Sequence, residues 1–188
     1  MHLPTFSLAI FTVATLISAG PIEPLPGTTP EKADGFYASR FEDDGSATLM
    51  EFIPLTDTMN NTTSSTILDT RTIEARSSAV TCENAILNRN DLISAWNCLI
   101  WTMTPSKTME KNYVYHCKSA SVVAYACSYS KNTLNPVIIQ TTLTTVSNTC
   151  GGVQAGYQRC KKDCGVTDMT IGRNYNGAAF CFKDFYGS

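Results

Sequence analysis

Apolar residues recur at helical spacing in two stretches of the chain. The first stretch follows Asn90-Asp91, which offers a helix cap, and it stops at Pro105. Its apolar positions are Leu92, Ile93, Trp96, Leu99, Ile100 and Met103. This spacing predicts a helix with one buried face, and Cys98 within it is available for a disulfide.

The second helical stretch begins at Asn135-Pro136, with asparagine as the cap and proline in the first turn, where its missing N–H costs no hydrogen bond. Its apolar stripe is Ile139, Leu143, Val146 and Cys150. Gly151-Gly152 ends the pattern. A threonine-rich outer face lowers the intrinsic helicity, so we expect this helix to depend on tertiary packing.

Runs that favour β-structure surround these helices. Residues 113–117 and 121–127 are separated by a short polar stretch, which predicts an antiparallel hairpin. Further short strands are predicted at 153–157, 166–171 and 178–182. The order helix, strand, strand, helix, strand, strand predicts an α+β fold. We expect a small disulfide-rich sandwich, in which an antiparallel sheet carries two helices packed on one face.

The start of the sequence carries an uncharged apolar run followed at once by small residues. This run is about a dozen residues long, whereas a helix needs roughly 20 to cross a bilayer. The pattern predicts a secretory signal peptide over residues 1–19, with cleavage after Ala19. We expect no membrane span later in the chain.

Residues 20–76, here called the leader segment, differ in composition from residues 77–188. They contain ten acidic and four basic residues and no cysteine, whereas 77–188 contain six acidic and ten basic residues. Five of the eight prolines also lie in the leader segment. Such a stretch buries little apolar surface, so we expect an acidic, flexible pro-region. Pairing of this region with the basic domain during secretion and simple drift of surface charge are equally open explanations of the charge contrast.

Processing motifs occur near the end of the leader segment. The tetrapeptide that ends at Arg71 matches the pattern Leu-x-x-Arg, and the one that ends at Arg76 is its Ile version. Both resemble sites at which kexin-type proteases cut fungal pro-proteins. Cleavage there leaves a cysteine-rich α+β domain at 77–188. Asn60 and Asn61 begin two overlapping glycosylation sequons, so any N-glycan would lie on the leader segment.

All eight cysteines lie in the second half of the chain: Cys82, Cys98, Cys117, Cys127, Cys150, Cys160, Cys164 and Cys181. An even number at this density in a secreted chain predicts four disulfides. Their connectivity stays open, because eight cysteines allow roughly a hundred pairings. Zinc is not expected, since Cys160 and Cys164 lack the Cys-x-x-Cys spacing and His116 is the one histidine of the domain. We predict no metal and no cofactor.

Three features together resemble the killer-toxin-like family of fungal secreted proteins. They are the stretch at 115–125, a helix closed by Cys150-Gly151-Gly152, and a terminal strand that closes on Cys181. The family includes virus-encoded killer toxins and necrosis-inducing effectors of plant pathogens. The resemblance covers residues 82–182 and rests on element order and cysteine placement. It carries over no functional residue.

Groups that could move protons are few in the cysteine-rich domain. A secreted ribonuclease could combine Glu110 and His116 with Arg159 or Lys118, but the spacing does not establish that these residues meet. We expect His116 to face solvent beside a disulfide. Motifs of serine hydrolases, zinc proteases and phosphate loops do not occur in the sequence. We therefore predict no catalytic residue and no enzymatic activity.

Tyrosine and basic side chains are the candidate binding residues. An exposed turn is predicted at 172–177, where Arg173 and Tyr175 would be available as binding anchors. Lys161 and Lys162 add a basic patch that is too small to predict nucleic-acid binding.

The sequence leaves three functions open. The leading hypothesis is a secreted, cysteine-rich fungal effector of the virulence or avirulence type. We expect it to act as an extracellular monomer that binds an unknown host protein or cell-surface component, and its entry into host cells stays open. The second hypothesis is an antimicrobial or killer toxin that acts on competing microbes. The third is a small secreted ribonuclease or hydrolase.

Overall fold

The computed structural model describes residues 33–42, 46–55 and 79–181. Several predicted features lie outside the described residues and stay predictions: the signal peptide with Ala19, the cleavage sites Arg71 and Arg76, and the sequons at Asn60 and Asn61.

One large antiparallel sheet organises the fold. Its strands and helices are β1 (Gly35–Phe41), β2 (Ala47–Pro54), β3 (Val80–Ile86), α1 (Arg89–Thr102), β4 (Lys107–Met109), β5 (Tyr113–Ser119), β6 (Val122–Ser128), β7 (Asn132–Leu134), α2 (Pro136–Cys150), β8 (Gln154–Cys160) and β9 (Met169–Tyr175). Within the described ranges, seven strands pair in the order β2-β1-β5-β6-β9-β8-β3, and β4 pairs with β7 separately. Both helices pack on one face of the large sheet, where their buried residues join one apolar cluster. This confirms the predicted α+β sandwich.

The first helix begins earlier than the sequence predicts. Asn88 is its cap, and the side chain of Asn88 accepts hydrogen bonds from the backbone N–H groups of Asn90 and Asp91 at 2.9 and 3.3 Å. Asp91 has a different partner, because its carboxylate accepts hydrogen bonds from the backbone N–H and the hydroxyl of Ser121. The predicted cap residues therefore lie in the first turn of α1, and Asp91 ties that turn to the end of the β5–β6 hairpin.

The second helix and the central hairpin agree with the predictions. The side chain of Asn135 accepts a hydrogen bond from the N–H of Ile138 at 3.0 Å, and α2 ends before Gly151. β5 and β6 pair antiparallel as expected. The predicted strands at 153–157 and 166–171 correspond to β8 and β9, displaced by up to four residues.

The predicted strand at 178–182 is wrong for its described part. Residues 178–180 have no regular structure. Gly177 and Cys181 have φ angles of 94° and 64°, which an extended strand cannot accommodate. Because Cys181 is bonded to Cys127 on β6, in the middle of the sheet, this segment crosses the sheet and does not extend an edge.

Two strands of the large sheet come from the leader segment, so its predicted flexibility is wrong for β1 and β2. β1 lies between β2 and β5, and Phe36 within it has no exposed surface. The prolines and acids of the leader segment lower its average hydrophobicity, so composition alone does not reveal these two short apolar runs. The sheet therefore extends across the domain boundary predicted at residue 76.

Four disulfides attach the surrounding elements to the sheet, as the cysteine count predicted. Cys82–Cys150 joins β3 to the end of α2, and Cys98–Cys117 joins α1 to β5. Cys127–Cys181 holds the C-terminal segment on β6, and Cys160–Cys164 closes a short loop after β8. All eight cysteines are paired.

Candidate functional site: the helix-free face

Aromatic side chains form a row across the face of the sheet on which the described residues place no helix, here called the helix-free face. The strand registers pair Phe52 with Tyr37, Tyr37 with His116, His116 with Tyr125, Tyr125 with Gly172, and Gly172 with Tyr157. We call Phe52, Tyr37, His116, Tyr125 and Tyr157 the aromatic row. Residues paired directly across strands lie on the same face, so the row spans six strands.

The rings at one end of the row contact each other directly. The centroid of the Tyr37 ring lies 4.9 Å from that of His116, with only 10° between the planes. The Tyr37 ring also lies 4.7 Å from the Phe52 ring. Such pairs add about 0.5–1.5 kcal/mol beyond the area that they bury. Tyr37 and His116 therefore connect the leader segment to the cysteine-rich part of the chain.

Phe180 covers the middle of the row. Its ring stacks on Tyr125 at 4.6 Å and meets the edge of His116 at 5.4 Å. The neighbouring disulfide Cys127–Cys181 holds Phe180 in this position. Tyr125 is consequently only 2% exposed, whereas His116, Tyr157 and Phe180 are half-buried.

A missing side chain at Gly172 makes the row possible. A Cβ atom at Gly172 would lie 2.5 Å from the Cβ of Tyr157 and 2.7 Å from the hydroxyl of Tyr125. Such distances are far inside van der Waals contact. Glycine therefore allows the two tyrosines to approach each other across β9.

Burial raises the pKa of two tyrosines of the row, Tyr37 and Tyr125. Desolvation raises the pKa of Tyr125 well above 10.0, and nearby Glu83 and other tyrosines add to the shift. Desolvation and then the charge of Asp34 raise the pKa of Tyr37. Both tyrosines are only 2% exposed, so the accessible rings of the face are those of Phe52, His116 and Tyr157, together with Phe180. Accessible aromatic rings are typical of a recognition surface.

The predicted exposed turn at 172–177 is wrong for Arg173. Arg173 lies in β9 with its side chain on the helix side, and it is 0% exposed. Its guanidinium donates to the Gln154 carbonyl, the Ser147 hydroxyl and the Gly151 carbonyl at 3.0, 2.5 and 2.7 Å. Burial lowers the pKa of Arg173. The side chain thus has a structural position and is not accessible to a partner.

Tyr175, Lys161 and Lys162 are exposed as predicted, but they do not form one patch. Tyr175 is 52% exposed at the end of β9. The two lysines follow Cys160, which pairs with Met169 at the start of β9. A strand of this length separates the two sites by about 20 Å.

Glu110 and Arg159, two of the residues considered for a ribonuclease, form ion pairs with residues outside that set. Glu110 forms an ion pair with Lys131 at 2.7 Å, and Arg159 forms one with Asp168 at 2.6 Å. Two strands lie between β5, which carries His116, and β8, which carries Arg159, so about 14 Å separates their backbones. The exposure expected for His116 is only partial, because Tyr37 and Phe180 pack against its ring and leave it half-buried.

The described residues offer neither a metal centre nor a membrane-spanning helix. Among them, no group of three or more His, Cys, Asp or Glu side chains is placed to hold a metal ion. No helix in the same ranges is both long and apolar enough to cross a membrane.

The sequence pattern predicted neither the aromatic row nor the contribution of Tyr37 and Phe52 from the leader segment. β1, β5 and β6 each contribute one ring to the row, and the strand order that aligns these rings is not visible in the sequence. Comparisons with protein-family models, curated proteins and solved structures return no match for this chain.

Proposed function

We propose that this protein is a secreted, cysteine-rich effector of fungal type that binds a component of a host and catalyses no reaction. The observation that carries the proposal is the four-disulfide framework. Small secreted domains use such frameworks because oxidising compartments allow them, and because cross-links compensate for a limited core. Fixed loops and faces of this kind also resist extracellular proteolysis.

The helix-free face is the proposed contact surface. Its rings are held by pairing across six strands and by Phe180, so few side-chain rotamers would be lost on binding. Rigid aromatic residues with a polar edge are enriched at the centres of protein interfaces. The half-buried rings of Phe180, His116 and Tyr157 are the proposed anchors.

Host response to the purified protein tests this proposal. Oxidised protein and a reduced, alkylated sample are infiltrated into plant tissue over a dose series and added to microbial cultures. A plant response to the oxidised sample alone supports the effector. Growth inhibition of microbes without a plant response would favour the killer toxin instead.

Two aromatic variants on opposite faces locate the contact surface. Phe180→Ala removes an accessible ring from the helix-free face, while Trp101→Ala removes a 38% exposed ring from α1. We expect Phe180→Ala to raise the dose needed for a response by about tenfold or more, and Trp101→Ala to change it little. The reverse result would move the contact surface to the helices.

An RNA-cleavage assay addresses the third hypothesis. Turnover that disappears in His116→Ala would overturn the non-catalytic part of the proposal. Intact mass of the secreted product tests cleavage after Ala19 and after Arg71 or Arg76 in the same preparation.

A further inference from the structure

The leader segment supplies the strand that covers one side of β5. β5 pairs with β6 on one side and with β1 on the other, and the β1 register extends from Gly35 opposite Lys118 to Arg40 opposite Tyr113. Without β1, the backbone N–H and C=O groups of β5 that point away from β6 would be unpaired. Such an edge is a general site for the addition of an extended peptide.

Side chains on both faces of β1 fit this edge. On the helix side, Phe36 is fully buried, its ring meets the Tyr115 ring at 5.5 Å, and the Lys107 ammonium lies 5.4 Å from its centroid. On the opposite side, Tyr37 is 2% exposed and stacks on His116. The edge of β5 thus accommodates two successive aromatic side chains that point to opposite faces of the sheet.

Both ends of the strand are also held. The Asp34 carboxylate accepts a hydrogen bond from the backbone N–H of Ala120 at 2.9 Å. The N–H of Phe41 donates to the carbonyl of Asn112 at 2.9 Å. These contacts fix the register of the strand on β5 independently of the two rings.

None of these contacts is covalent. The leader segment has no cysteine, and all eight cysteines pair with one another between Cys82 and Cys181. A chain cut between residues 56 and 78 would therefore keep β1 and β2 only through pairing and packing.

We propose that the edge of β5 covered by β1 is a peptide-binding site whose occupant is the leader strand 34–41, and that this strand stays bound after the chain is cut. The product is a two-chain protein in which the leader segment is a non-covalent subunit and the β5 edge stays closed. This inference does not depend on the proposed host partner.

Controlled cleavage of the full-length chain tests it. A site for a sequence-specific protease is inserted between residues 56 and 78, and the oxidised protein is cut and passed through gel filtration at micromolar concentration. We expect both pieces to co-elute in equal amounts and to separate in denaturant. Elution of the leader piece alone under native conditions would overturn the proposal.

Matched variants of the leader segment test the assigned contacts. Phe36→Ala removes the buried ring, and Met50→Ala removes a 55% exposed side chain from β2 of the same segment. We expect Phe36→Ala to weaken retention of the leader piece by about a hundredfold or more. Met50→Ala is expected to change it by less than about twofold.

A milder variant covers the case in which Phe36→Ala does not fold. Asp34→Ala removes the exposed hydrogen bond from Ala120 and a carboxylate charge near Tyr37, and we expect the leader piece to dissociate about threefold to tenfold faster from the cut protein. Dissociation of Asp34→Ala at the rate of the parent protein would place the leader segment elsewhere than on the β5 edge.

Discussion

The guanidinium of Arg173 donates a hydrogen bond from Nη2 to the backbone carbonyl of Gly151 at 2.7 Å. Gly151 directly follows α2, where unpaired carbonyls and the negative end of the helix dipole favour a cation. Two further hydrogen bonds, to Ser147 and Gln154, use the remaining side of the guanidinium. Arg173 therefore joins the end of α2 and the start of β8 to the middle of the sheet.

Replacing Arg173 with methionine is expected to lower the free energy of unfolding by about 2–4 kcal/mol. The substitution keeps an apolar side chain of similar length but removes the donor of the partly buried hydrogen bonds to the Gly151 and Gln154 carbonyls. Urea unfolding with intact disulfides measures the change. Lys161→Met, at an exposed position, is the control and should stay within about 0.5 kcal/mol of the parent. Equal stability of the two variants would contradict the structural role.

Alanine at Gly172 is expected to destabilise the protein by about 1–3 kcal/mol. The new Cβ would collide with Tyr157, with the Tyr125 hydroxyl and with the Gly156 carbonyl oxygen at 2.8 Å. Thermal and urea unfolding give the magnitude. Gly152→Ala is a matched control because no heavy atom lies within 4 Å of its Cβ position, so stability should change little. Unchanged stability of the Gly172→Ala variant would mean that the aromatic row has room for an extra methyl group.

Stability should fall as the pH rises above 10. Burial raises the pKa of Tyr125 above 10.0 in the folded state, while the unfolded tyrosine loses its proton near that pH. The unfolded state then binds fewer protons than the folded state, so the free energy of unfolding decreases as the pH rises. Tyr125 makes its full contribution to stability below pH 10.

Tyr125→Phe tests this pH dependence. The variant should reduce the slope of stability against pH by up to about 1.4 kcal/mol per pH unit in this range. Urea unfolding at several pH values above and below 10 gives the slope, and Tyr175→Phe, at a 52% exposed position, is the control. An unchanged slope in Tyr125→Phe would show that other groups cause the alkaline loss.

The four disulfides should differ in their contribution to stability. Cys82 and Cys150 are 68 residues apart, whereas Cys160 and Cys164 are four apart. A cross-link restricts the unfolded chain more when it closes a longer loop, so replacing the first pair by alanine should cost about 4 kcal/mol and the second about 2 kcal/mol. Denaturant unfolding of the two double variants gives the order. Equal losses would indicate that local packing outweighs the effect of loop length.

Features that depend on a few neighbouring residues could be predicted from the sequence. Asn135 and Pro136 start α2 because the cap acts on an N–H three residues away, and Gly151 ends the helix for an equally local reason. The even cysteine count predicted four disulfides, and the α+β class could be predicted from the order of periodic runs. Composition averaged over the leader segment failed to predict β1, since strand formation there depends on a partner far along the chain.

The tertiary structure alone decided which residues meet. Tyr37 reaches His116 and Tyr125 reaches Gly172 because β1 and β9 each lie beside a strand distant in sequence, and nothing within either strand specifies that neighbour. Arg173 looked like an exposed anchor, but its side chain is buried because the register turns it towards α2. The sequence by itself determined the two helices, the central hairpin and the number of cross-links. Strand order determined the aromatic row, the buried arginine and the insertion of the leader segment. The hydrogen bonds and side-chain contacts of paired strands form between residues that are far apart in the sequence, so no local pattern specifies them.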